Sequence, residues 1–210
     1  MTAGVLVVEH PLVQHRLAAL RDERTESAAF RKLVHDISTF VAYEALQDLA
    51  TDRVSVRSPV GDAECTKITE TVLLVPILRA GLGMVPAVQE LLPYTEVAHV
   101  GLRRDEVTLR SDVYLDRLPR DLAGRRVVVC DPMLATGGSL AQVCDLVVAR
   151  GASQVQALCV IASVPGIERF RESHPDLPVA CAVIDPELNE HGFIVPGLGD
   201  AGDRLFGPPD

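Results

Sequence analysis

The sequence predicts an α/β fold, a parallel-sheet core covered by helices on both faces. Three observations carry that expectation. Several strand-length runs, Thr71–Leu78 and Arg126–Cys130 among them, are almost continuously apolar, as strands buried on both faces must be. Such runs alternate with helix-length segments from residue 71 onward. Glycines follow two of them directly, at Gly81 and Gly83 and at Gly137 and Gly138, where strand passes to helix.

The elements follow in order. Leu12 to Arg21 reads as a short helix after Pro11, and Ser27 is placed as the cap of a longer one ending near Ala50. In that helix Phe30, Leu33, Val34, Ile37, Phe40, Val41 and Leu46 keep the i, i+3, i+4, i+7 spacing of a single buried face. Val54 and Val56 alternate with polar residues before the turn at Ser58–Gly61, which predicts a small hairpin. Thr71–Leu78 is a strand, followed by a helix to Leu92, and Glu96–Leu102 is a second strand. Residues 103–119 are polar without a helical period and read as a long excursion, or flap. Arg126–Cys130 is a third strand, and a helix from Gly138 to Arg150 ends on Gly151. Val155–Ala162, a helix over Gly166–Ser173, and Val179–Ile184 complete the core.

Composition narrows the function classes. The chain has 210 residues, 48% of them hydrophobic, enough for one domain that buries roughly 70% of its unfolded surface without a staple. The net charge is −9, from 20 basic and 29 acidic residues, which argues against nucleic acid and an anionic membrane surface as partners. Only Lys32 and Lys67 are lysines, so the cationic chemistry belongs to arginine, whose forked guanidinium suits phosphate. No apolar run approaches the ~18 residues of a membrane span. The N-terminus lacks the pattern of a secretory signal. Cys65, Cys130, Cys144, Cys159 and Cys181 form no C-x-x-C pair and read as thiols in a reducing, cytoplasmic compartment.

The strongest chemical motif is Val127-Val-Val-Cys-Asp-Pro-Met-Leu-Ala-Thr-Gly-Gly-Ser139. A buried strand delivers Asp131 at its carboxyl end, the ligand edge of an open α/β sheet. Gly137 and Gly138 then let the backbone approach an anion, with free helical N–H groups and the hydroxyls of Thr136 and Ser139 as donors. The alternative is a plain strand–turn–helix capped by Ser139. The Walker A spacing and its lysine are absent. Gly197-Leu-Gly-Asp-Ala-Gly202 matches the dinucleotide string, but too little chain follows it for a helix and second strand. Arg79, Arg103-Arg104 and Asp131 end three successive strands and aim charge at one rim, as a polyphosphate site requires. The six histidines lack metal-ligand spacing, and a catalytic His191 is the minor reading of its loop.

With these residues in view, Asp131–Ser139 resembles the loop by which type I phosphoribosyltransferases bind 5-phosphoribosyl-1-diphosphate (PRPP). The proline after Asp131 resembles the uracil phosphoribosyltransferase branch. Pro76-Ile-Leu-Arg-Ala-Gly-Leu-Gly83, Asn189-Glu-His-Gly-Phe-Ile-Val-Pro196 and Gly197-Leu-Gly-Asp-Ala-Gly-Asp-Arg204 agree, so the likeness runs from about Glu9 to Gly207. The resemblance implies a type I phosphoribosyltransferase domain over residues 1–210, with N-terminal helices, a flap hairpin at about 103–119 and a C-terminal hood at about 185–207. It implies transfer of phosphoribose from PRPP to uracil, giving UMP and diphosphate. The alternatives are another base phosphoribosyltransferase and an RNA-binding PRPP-fold regulator of pyrimidine genes.

The resemblance also implies the site. Asp131, Asp200 and Arg104 would be catalytic. Arg79, Arg104, Asp131, Pro132, Met133, Leu134, Ala135, Thr136, Gly137, Gly138, Ser139 and Asp200 would bind PRPP. Ile194, Gly199, Asp200 and Ala201 would read uracil, largely through backbone groups. Mg²⁺ would be held mainly by PRPP oxygens rather than by protein ligands, with GTP as an activator and a homodimer or homotetramer as the assembly. The flap departs from the family pattern, carrying Thr108-Leu-Arg-Ser111 for Thr-Leu-Glu-Pro and Leu115 for a second tyrosine after Tyr114.

Overall fold

A computed structural model describes residues 4–104 and 111–208. Its elements, in chain order, are β1 (Val5–Val7), α1 (Pro11–Arg21), α2 (Ser27–Ala45), β2 (Thr51–Ser58), β3 (Gly61–Ile68) and β4 (Val72–Leu78). A 3₁₀ turn (Ala80–Gly83) leads to α3 (Val85–Leu91), β5 (Glu96–Val97), β6 (Val100–Arg104), β7 (Ser111–Asp116), β8 (Arg126–Cys130), β9 (Met133–Leu134) and α4 (Gly138–Ala149). Then come β10 (Gln154–Leu158), β11 (Ile161–Ser163), α5 (Val164–Ser173), β12 (Val179–Cys181), β13 (Val183–Asp185), β14 (Glu187–Leu188), β15 (Ile194–Val195) and α6 (Ala201–Phe206).

The main sheet runs β1-β12-β10-β8-β4-β6-β7, with β5 also on β4. All of its pairs are parallel except β6–β7. Alternate residues of each strand face opposite layers. Leu74 and Val128 pack with Phe30, Val34 and Ile37 of α2. Leu73, Val75, Val127 and Val129 pack with Leu140 and Val143 of α4 and Phe170 of α5. Both faces are thus covered, which is why the strands read as unbroken apolar runs.

The structure corrects several local expectations. Ser27 is the first residue of α2 rather than its cap: Glu26 holds the cap position and makes no side-chain cap bond. The helix stops at Ala45, not near Ala50, because Leu46 leaves helical geometry and the chain turns into β2. β1 was not expected, since three residues are too few for a period to register. The expected flap hairpin is formed by β6 and β7, paired antiparallel, but β6 runs to Arg104 rather than ending at Leu102. Thr108, Leu109 and Arg110 lie outside the described residues.

The expected strands Val155–Ala162 and Val179–Ile184 each divide in two, as β10/β11 and β12/β13. The first division comes opposite Pro132, which has no N–H of its own to offer a neighbouring strand. Its carbonyl instead accepts from both Val160 N (3.0 Å) and Ile161 N (2.9 Å). Beyond that level β9, β11 and β13 form their own parallel sheet. The break comes immediately after Asp131.

At the opposite, amino-terminal edge Arg126 is buried and grips Asp48 (2.7 and 3.1 Å) and Glu70 (3.2 Å). This ties the base of the β2–β3 ribbon to the sheet. Arg126→Met leaves Glu70, only 10% exposed, without its partner and is expected to cost about 3 kcal/mol in urea unfolding. Cys130, Cys144, Cys159 and Cys181 are buried and Cys65 is exposed. Burial pushes the Cys130, Cys144 and Cys181 thiols up to about 12, so they are inert apolar side chains. Among the described residues no helix is long and apolar enough to cross a membrane.

Candidate active site

The carboxyl edge of the sheet opens into a cleft with two halves that share Ala80, Asp131, Asp200 and Gly202. One half, about 280 Å³, is polar and ringed by Arg79, Ser139 and Asp203. The other, about 260 Å³, is lined by Met133, Ala135, His191, Phe193, Ile194, Gly199 and Ala201. A larger depression of about 770 Å³ lies at the amino-terminal edge around Arg126 and Gln154, away from the strand ends that carry the charged groups.

Asp131 is the pivot. It follows β8, and its Oδ1 accepts from Met133 N at 3.3 Å. Desolvation at the cleft floor pushes its carboxyl up to about 7, against the lowering effect of that bond. The loop it begins is shaped from behind. Gly137 caps α4 with φ +79°, a left-handed conformation. A Cβ at Gly166 would lie 2.1 Å from Ala135 O, so only glycine lets α5 pack under the loop. Ser163 Oγ donates to Ala135 O (2.6 Å) and accepts from Gly166 N (2.9 Å), fixing the same contact. The cap of α4 is therefore Gly137 and not Ser139, which leaves the Ser139 hydroxyl on the cleft wall. A Cβ on Gly138 would meet no atom closer than Thr136 Oγ1 at 3.9 Å, so the space before that turn is open.

Arg79 follows β4 and donates to Asp203 Oδ1 at 3.0 Å. Both partners are about half exposed, so the pair holds little energy and an anion can compete for the guanidinium. Asp200 caps α6, its Oδ1 accepting from Asp203 N at 2.9 Å. Ile194 is buried in β15, which pairs antiparallel with β14. Arg104 ends β6, where its backbone pairs with Ser111 of β7.

The structure thus brings Arg79, Asp131, Met133, Ala135, Ser139, Ile194, Gly199, Asp200 and Ala201 onto one cleft. Pro132 and Leu134 are buried beneath the loop and do not line it. Thr136, Gly137 and Gly138 form the turn beside it. Sequence reasoning did not pick out Ala80, Phe193, Gly202 or Asp203, nor the buttress from Ser163 and Gly166. Ala80, Phe193, Gly202 and Asp203 lie inside the quoted motifs but were given no role, and the S-x-x-G spacing that caps α5 does not by itself show the buttress, because these roles depend on contact with distant chain.

The parallel sheet, with a glycine turn after one strand and arginine and carboxylate groups at the same edge, is the architecture of solved phosphoribosyltransferases. Solved structures agree on the fold. A hypoxanthine phosphoribosyltransferase from Staphylococcus aureus superposes with a TM-score of 0.52 at 10% identity, over 75% of this chain and 76% of that one. The AQ2163 protein from Aquifex aeolicus does so with a TM-score of 0.91 at 34% identity, over 97% of this chain and 98% of that one. The family model described as uracil phosphoribosyltransferase matches residues 7–208. Relatives of that name are 49% identical in Clostridium beijerinckii and 48% identical in Symbiobacterium thermophilum, each over 97% of this chain and 98% of its own length. The chain belongs to the uracil phosphoribosyltransferase family.

Proposed function

We propose that this chain transfers the 5-phosphoribosyl group of PRPP to uracil, giving UMP and diphosphate, a pyrimidine salvage step. The observation that carries the proposal is the two-part cleft meeting at Asp131: a polar half beside the Gly137 turn and a half walled by Ile194 and the Gly199–Ala201 backbone. Phosphate and diphosphate suit the first, a planar base the second.

In this reading the Thr136–Ser139 turn holds the 5-phosphate, with Pro132 and Leu134 supporting it from below. Asp131 accepts from the ribose hydroxyls, and Arg79 and Arg104 hold the diphosphate. The bond from the anomeric carbon to diphosphate breaks and its electron pair leaves with the diphosphate. Positive charge develops on the ribose, uracil N1 bonds to the anomeric carbon, and the N1 proton is released. The arginines stabilise the leaving charge, and the protein need supply no covalent nucleophile. Ile194 and Gly199–Ala201 read the base through backbone groups, so a base with another donor and acceptor order leaves buried polar groups unpaired. The hard oxygen donors of Asp131 and Asp200 at the shared centre fit Mg²⁺, which PRPP oxygens and water would mostly hold. When bound, the ion neutralises charge on the diphosphate. GTP as an activator, a homodimer or homotetramer, one domain over residues 1–210, and a cytoplasmic location consistent with the buried thiols complete the proposal.

The purified protein with Mg²⁺, PRPP and uracil is expected to release diphosphate. Arg104→Ala and Asp200→Asn are each expected to lower kcat/KM by about 10²-fold. A wild-type protein idle on uracil but active on a purine or orotate would overturn the substrate assignment.

A further inference from the structure

The base-facing segments, Ile194 and Gly199–Ala201, flank Gly197, and Gly197 is held from both sides. Asp185 Oδ2 accepts from Gly197 N at 2.9 Å. Arg21 Nη1 donates to Gly197 O at 2.7 Å. The two side chains are themselves joined by a fork, Arg21 Nη1 to Asp185 Oδ2 and Nη2 to Asp185 Oδ1, both 2.7 Å. Asp185 is only 4% exposed, so this charge pair is largely withdrawn from water and directional. Gly197 has φ +57°, and a Cβ there would lie 2.0 Å from Ile194 O, so the turn folds back tightly on β15. The next carbonyl, Leu198 O, accepts from Arg204 Nη1 at 2.9 Å, and the same guanidinium donates to Leu20 O (2.8 Å) and Asp22 O (2.6 Å) and lies 4.2 Å from the Phe30 ring centroid. Both arginines therefore bind the hood to the α1–α2 corner. Neither Arg21 nor Asp185 lines either half of the cleft.

We infer that Arg21 and Asp185 are positioning residues for base selection: they clamp Gly197 and so set the backbone on either side of it that meets the base. The inference rests on the uracil-transferring reading above. Its physical basis is that backbone recognition has no side chain to adjust. The positions of N–H and C=O groups are the specificity, and a displacement of about 1 Å is enough to cost on the order of 10²-fold. The phosphate turn is fixed elsewhere, by Ser163 and Gly166, so loosening the clamp should be felt more by the base than by PRPP, which shares only Asp200 with the clamped segment.

The test uses the full-length protein with Arg21→Lys, Arg21→Met and Asp185→Asn. At saturating PRPP the uracil KM is expected to rise about 10-fold or more, and the preference for uracil over cytosine to fall. The PRPP dissociation constant, read by calorimetry, should rise clearly less than the uracil KM, since Arg21 and Asp185 do not line the phosphate half and only Asp200 links it to the clamped segment. Where Arg21→Met fails to fold, Arg21→Lys decides the question, because it keeps a charge against Asp185 while losing the fork that reaches Gly197 O. An unchanged uracil KM in folded variants, or a parallel loss of PRPP affinity, overturns the inference. A wild type idle on uracil instead overturns the parent reading.

Discussion

Asp131→Asn is expected to lower kcat/KM for PRPP by about 10²-fold or more while raising the stability of the ligand-free protein at pH 8 by roughly 1–3 kcal/mol. Both effects come from one carboxyl group. Burial lifts it from 3.8 to about 7, so the folded protein holds a proton there that the unfolded chain has released. Its favourable contribution is present below pH 4 and is lost as pH rises through about 7, where the folded state must carry an ill-solvated charge. Asparagine keeps an acceptor for Met133 N and removes that charge. Urea unfolding at pH 5 and pH 8 checks the sign, because the variant's advantage must grow with pH. Catalysis runs the other way, since the ionised carboxylate is the stronger acceptor for ribose hydroxyls. kcat/KM for PRPP should therefore climb across an inflection near 7 that Asp131→Asn removes. Any inflection left in the variant belongs to the phosphates of PRPP.

The second large effect is expected from Gly166, whose place is behind the phosphate turn. Gly166→Ala puts a methyl group 2.1 Å from Ala135 O and 2.8 Å from Leu134 O, both backbone atoms that no rotamer change can clear. Either α5 lifts away from the loop or the loop moves into the cleft. Stability should fall by about 3 kcal/mol or more, and PRPP affinity by about 10²-fold. Ser163→Ala, which removes two hydrogen bonds but adds no bulk, should lose about 1–3 kcal/mol and affect PRPP less. Urea unfolding and PRPP calorimetry on both variants read this, and a Gly166→Ala protein with wild-type PRPP affinity would show that the buttress does not shape the turn.

Legibility in the sequence followed contact range. The β4 and β8 runs and the α2 stripe were readable because burial imposes periods of two, 3.6 or none on adjacent residues. Asp131–Ser139 was readable because a strand end, a proline, two glycines and a hydroxyl pair lie within nine consecutive residues. The division of β10/β11 and β12/β13 was not, since it appears only where these strands meet other segments, β10/β11 opposite Pro132. The Arg21–Asp185 fork joins residues 164 apart, and neither carries a local signature.

Local periodicity and local backbone freedom are written in the sequence, and from them come the layered α/β class, its long apolar strands and helices, and the glycine turn at Gly137–Gly138. Packing between distant segments adds the meeting of Arg79, Asp131 and Asp200 in one cleft, the support of the Gly137 turn by α5, and the hold of the N-terminal helices on the hood. The physical reason is that such contacts exist only after distant segments have packed, and their chemistry is then set by burial: it lifts Asp131 toward neutral pH and makes directional an arginine–carboxylate fork that water would otherwise weaken.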